Sequence, residues 1–149
     1  MACVRLPREH TRPVAPSLPH DLGLLRRLAC EGLYWQDEVE ELLLAIRDGG
    51  DLGELSRAGG PHISRYEAMR VELRAVRDPE LQRYVTALDE VFANHAMVLH
   101  CALDLLAVSW RSERLREEQS WLGGLGGQSL RLVALVDEIK ALAERASAG

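Results

Sequence analysis

Residues 78–110 read DPELQRYVTALDEVFANHAMVLHCALDLLAVSW, and this stretch decides the fold. Asp78-Pro79 pairs an N-cap residue with a proline at the first helical position, where its missing N–H costs nothing. No glycine or further proline follows until Gly123. At about 100° per residue, Leu81, Leu88, His95, Ala102 and Ser109 drift slowly around one side of a helix. Val85, Phe92, Leu99, Leu106 and Trp110 flank them on one edge, and Tyr84, Val91, Val98 and Leu105 on the other. A wide apolar arc of this kind marks a helix that buries one face. With no breaker before Gly123, the spacing predicts one long helix over 79–119, about 41 residues and roughly 60 Å if straight. A domain of this size has a radius of gyration of about 15 Å. Such a helix must therefore kink, overhang the core or be covered by a second copy.

The rest of the chain carries the same periodicity. Leu25, Leu28, Gly32, Trp35, Val39, Leu42 and Ile46 follow a 3-4-3-4 spacing and predict a helix over 21–48. Gly32 on the buried stripe implies close approach of a neighbouring element, and Gly49-Gly50 ends the helix. Residues 51–60, with Gly59-Gly60, read as a loop with at most one helical turn. Ile63, Tyr66, Met69, Leu73 and Val76 predict a second helix over 61–77. Gly123-Gly124-Leu125-Gly126-Gly127 reads as a turn. A fourth helix is expected over 129–146, with Leu132, Val133, Val136, Ile139 and Ala143 inside. Alternating β-branched runs bounded by turns are missing. The expected fold is all-α, a four-helix up-down bundle forming a single domain over 21–149. Residues 1–20 hold four of the six prolines and several arginines, and read as a flexible arm.

Composition narrows the function classes. At 149 residues the chain can bury roughly 70% of its unfolded surface, so a core forms without staples. The net charge of −5 and the scattered arginines do not suit a nucleic-acid-binding surface. Cys3, Cys30 and Cys101 are odd in number and widely spaced, which fits reduced thiols in a cytoplasm rather than a disulfide framework. No apolar run is long enough to cross a membrane, which takes about 20 residues, and the N-terminus lacks a signal-peptide core.

The residues of chemical interest lie within the opening stretch. His95, His100, Cys101 and Asp104 look like a reactive cluster, but the helical angles separate them. His95 falls in the middle of the apolar arc. His100 lies about 140° away, on a small polar stripe with Asp89, Ala93, Ala96, Asp104, Ala107 and Arg111. A metal needs three or four ligands aimed at one point, and one helix does not supply them, so no metal or cofactor is expected. Tyr66, Tyr34 and Glu67 are the candidates to partner a buried His95, which must find a hydrogen bond. Asp89, His100, Asp104 and Arg111 form an expected interface stripe.

Glu38-x-x-Glu41 resembles the first half of the acidic motif of all-helical nucleotide pyrophosphohydrolases. The continuation, Glu54-x-x-Arg57, lacks the required aspartate. Trp121-Leu122-Gly123 resembles the W-x-G hairpin of small secreted type VII substrates over three residues only. GGLGG lacks the strand and the G-K-[ST] of a phosphate loop. The leading expectation is a non-enzymatic cytoplasmic interaction protein that forms a homodimer or binds a helical partner through its helix faces. The alternatives are a metalloprotein or enzyme with an inter-helix pocket around His95, and a sensor holding an apolar ligand in the bundle core.

Overall fold

The structure is a computed structural model that describes residues 18–109 and 123–148. Four helices follow in order: α1 (Leu18–Arg47), α2 (Leu52–Leu73), α3 (Gln82–Ser109) and α4 (Gly127–Ala148), with a 3-10 turn (Pro79–Leu81) leading into α3. Among the described residues there is no strand, and no helix is long and apolar enough to cross a membrane.

Each helix packs on its neighbour in sequence, and α1 closes the ring on α4. The pairings run antiparallel throughout. Gly59 near the start of α2 abuts Leu103 near the end of α3, while Arg70 near the end of α2 pairs with Asp89 early in α3 at 2.9 Å. Arg131 of α4 pairs with Glu90 of α3 at 2.9 Å. The Glu40 carboxylate near the end of α1 accepts a hydrogen bond from Leu125 N, just before α4, at 3.0 Å. The architecture is therefore the up-down bundle that the periodicity predicts.

The boundaries differ in instructive ways. α1 begins at Leu18, so residues 18–20 belong to the helix and not to the arm. Pro19 sits in the first turn, where no intrahelical partner is lost. Residues 1–17 lie outside the described residues. α1 ends where Gly49 adopts φ +80 and Gly50 N donates to Ala45 O at 3.0 Å.

α2 begins at Leu52, not at Pro61, and Gly59-Gly60-Pro61 lie within it. Two contacts override these breakers. Asp51 caps the helix by accepting from Glu54 N at 2.9 Å. Gly59 lies where a Cβ would come within 2.7 Å of Leu103 and 3.4 Å of Leu42, so its bareness lets three helices meet. α2 also stops at Leu73, short of residue 77.

α3 has 28 residues, not about 41. Its start shifts because Pro79–Leu81 form the 3-10 turn, capped by Asp78. Its expected extent beyond Ser109 rested on the lack of a breaker. Residues 110–122 lie outside the described residues.

α4 starts at Gly127, two residues before the expected 129, after Gly126 at φ +62. Its buried stripe is Leu132, Leu135, Val136 and Ile139. Val133, expected inside, is 40% exposed, because it lies about 100° from Leu132 on the wheel.

The core runs the length of the bundle. Leu25, Leu28, Val39, Leu43 and Ile46 of α1 meet Tyr66, Met69 and Leu73 of α2. Leu88, Val91, Phe92 and Leu99 of α3 and Leu132 and Ile139 of α4 complete it. At one end, the buried Asp21 carboxylate of α1 accepts from Arg77 N at 2.9 Å and Asp78 N at 2.8 Å. That pins the connection between α2 and α3 to α1.

Candidate functional site

The site is built outward from Gly32. A Cβ at this position of α1 would lie 2.7 Å from Phe92 Cζ and closer still to Phe92 Cε1. The bare glycine therefore lets the Phe92 ring of α3 press against the α1 backbone. Phe92 in turn packs on Tyr66 of α2 with ring centroids 6.0 Å apart. Tyr66 meets the His95 ring edge-on at 5.5 Å and 78°. Tyr66 is 1% exposed and His95 is fully buried.

Polar groups gather around this aromatic trio from all four helices. One turn beyond Gly32 on the same face of α1 comes the buried Gln36, and one turn further Glu40. The first turn of α4 supplies Gln128 beside His95. Among the described residues, five buried atoms of these side chains have no hydrogen-bond partner: Tyr66 Oη, His95 Nδ1, His95 Nε2, Gln36 Oε1 and Gln128 Oε1. A sixth unpartnered atom, Asp21 Oδ1, belongs to the anchor at Arg77 and Asp78. Buried polar groups nearly always have partners, so five without one are exceptional.

The electrostatics keep these groups neutral. Burial pushes the His95 pKa down to about 4, against a smaller upward pull from the nearby Gln128 backbone. That backbone biases the ring, yet neither ring nitrogen makes a bond of normal length and angle. Burial, and then the negative charge of Glu40, push the Tyr66 phenol up, with Arg65 opposing. At neutral pH the site therefore presents a neutral imidazole, with one donor and one acceptor, a phenol, and two carboxamides. Glu40, the carboxylate whose charge acts on Tyr66, is already engaged by Leu125 N at 3.0 Å. Gly124 packs so tightly on it that a Cβ there would collide with the carboxylate.

The other predicted site residues lie elsewhere. Tyr34 is 71% exposed and stacks edge-on against Trp35 at 4.7 Å, so it does not partner His95. Glu67 is on the surface and pairs with Arg70 at 3.3 Å. His100 and Asp104 form a solvent-facing pair 3.5 Å apart, with side chains 66% and 72% exposed. Asp89, assigned to the same stripe, is held by Arg70 across the α2–α3 seam. Arg111 lies outside the described residues.

His62, nearly buried, belongs to a separate polar network between α1 and α2. It contacts Glu38 at 3.2 Å and Arg65 at 3.2 Å, and the Arg65 guanidinium lies 3.7 Å over the Trp35 ring. Burial, then Arg65, lower the His62 pKa, and Glu38 partly offsets this. Among the described residues no group of three or more His, Cys, Asp or Glu side chains is placed to hold a metal ion.

Gln36, Glu40 and Gln128 are the site residues that periodicity passes over. Gln36 could have been found, since it lies four residues after Gly32 on the buried stripe. Gln128 is hidden by the glycines around it, which read as turn rather than as the first turn of α4. Compared with known proteins, the chain matches no family model, no curated protein and no solved structure.

Proposed function

We propose that this bundle is a binding module that takes a small uncharged guest into its interior at Tyr66 and His95. The five buried polar atoms without partners carry this reading. Each such group costs about 1–3 kcal/mol when left unsatisfied, and a guest that hydrogen-bonds to them would recover part of that cost. The guest must both donate and accept hydrogen bonds. It must also be neutral, because a buried charge with no free counter-charge is strongly disfavoured. Ordered water is the competing occupant.

The chemistry favours binding over catalysis. An effective general base has a pKa near the working pH. His95 at about 4 is too weak a base, and Tyr66 is shifted away from ionisation. This reading takes the pocket around His95 from one expected alternative and the interior ligand from the other, and assigns the ligand polar as well as apolar contacts.

Thermal unfolding in the presence of 2-pyridone, benzamide and benzoate tests it. A guest at about 100 times its dissociation constant adds about 2.7 kcal/mol. The neutral probes should raise the midpoint saturably, benzoate should not, and His95→Leu and Tyr66→Phe should each abolish the rise. The reading fails if no neutral probe stabilises the protein and a high-resolution crystal structure shows only waters bridging these atoms.

A second reading, self-association through a helix face, is favoured by Leu130 and Val133. They sit one turn apart on α4 at 73% and 40% exposed. Light scattering on the eluted protein should then give a dimer that Leu130→Glu dissociates without loss of helicity. A wild-type monomer at high concentration sinks this reading.

A further inference from the structure

The geometry points to a second, independent site: a half-enclosed cavity at the far end of the bundle that takes a small apolar monocarboxylate. The cavity measures about 140 Å³ and lies where the start of α1, the 3-10 turn and the end of α4 meet. Its apolar side is formed by Leu22, Leu81 and Leu142, and its polar side by Arg83, Arg145 and Glu80. A cavity of about 150 Å³ accommodates benzene, so an acid of six or so carbons is the right size.

The charges select the headgroup. Arg83 lies over the Tyr84 ring at 4.6 Å and donates to the Tyr84 hydroxyl. Neither Arg83 nor Arg145 forms an ion pair among the described residues. Glu80 supplies one negative charge against their two positive ones. Among the lining side chains alone, one unit of positive charge remains beside the apolar wall, and a monoanion would neutralise it. A guanidinium is suited to this role because its planar fork of donors matches a carboxylate. Arg83 is further held by its ring contact, so less freedom is lost when the acid binds. This site is opposite in character to the interior cluster, whose groups are neutral and fully buried.

Calorimetric titration at low salt with sodium hexanoate, 1-hexanol and hexylammonium, each on the full chain, tests the assignment. Hexanoate should bind saturably and move the backbone amide resonances of Leu22, Leu81 and Leu142. Hexanol should bind about tenfold more weakly, the worth of one charge-assisted hydrogen bond, and hexylammonium should not bind. Arg83→Gln and Arg145→Gln should each weaken hexanoate by a similar factor and leave the unfolding midpoint near that of wild type. Both arginines are exposed, so the variants should fold, which their circular dichroism verifies. Equal affinity for hexanoate and hexanol would overturn the proposal. So would undiminished hexanoate binding in both folded variants, shifts centred on other residues, or no saturable binding of hexanoate.

Discussion

Replacing His95 with leucine is expected to stabilise the guest-free protein by about 1–3 kcal/mol at neutral pH. A substitution at a fully buried core position usually destabilises. His95 is different because its two ring nitrogens are buried without partners. Removing an unsatisfied buried group recovers its desolvation penalty, and leucine is a better helix former of similar size.

The gap between the two proteins should widen in acid. The folded-state pKa of His95 is about 4, against an ordinary value of 6.5. Between those values the unfolded chain binds a proton that the folded chain refuses. Stability is therefore fully present above pH 6.5 and is lost as pH falls toward 4, with no further loss from this group below that. The loss over the window is about 3 kcal/mol. His95→Leu removes this slope and leaves the smaller slope of the same sign from His62, whose pKa is also lowered. Chemical denaturation at a series of pH values measures both effects. A leucine variant less stable than wild type at pH 7, or one with an unchanged pH slope, would contradict the unpartnered state of His95.

Gly32→Ala is expected to destabilise by about 2 kcal/mol, although helix propensity alone predicts a gain of about 1 kcal/mol. Overpacking a filled core costs about 1–3 kcal/mol and at times more. Here the new methyl would meet the Phe92 ring. That ring is fully buried and backed by Tyr66, so it has nowhere to swing. The double variant Gly32→Ala/Phe92→Leu should lose less than the sum of the two single losses, since leucine vacates the space that the methyl enters. A Gly32→Ala protein as stable as wild type, or additive losses, would place Phe92 away from α1.

How much of this was legible beforehand depends on what each residue needed. The position of His95 follows from helical angles alone, because its neighbours Leu88, Phe92, Leu99 and Ala102 define the arc around it. The separation of His100 and Asp104 from His95 follows in the same way. Gly32 signals close approach because a mid-helix glycine on a buried stripe has few other uses. Which ring packs against His95 is a different matter. Tyr34 and Tyr66 are equivalent as residue types, and only the rotation of α1 against α2 puts one outside and the other against His95. That rotation is set by packing between helices, and no local pattern records it. The start of α2 was hidden for a related reason. Gly59-Gly60-Pro61 has the local form of a boundary, and only Leu103 and Leu42, distant in sequence, make a helix there favourable.

The proposal that the bundle holds a guest at Tyr66 and His95 is tested most directly at the His95 imidazole itself. Long-range proton–nitrogen NMR spectra report the charge and hydrogen bonding of its two nitrogens. From neutral pH down toward 4 the ring should stay uncharged, and saturating 2-pyridone should shift both nitrogen resonances. A ring that titrates near 6.5, or nitrogen resonances that ignore 2-pyridone while the protein binds it, would contradict the proposal.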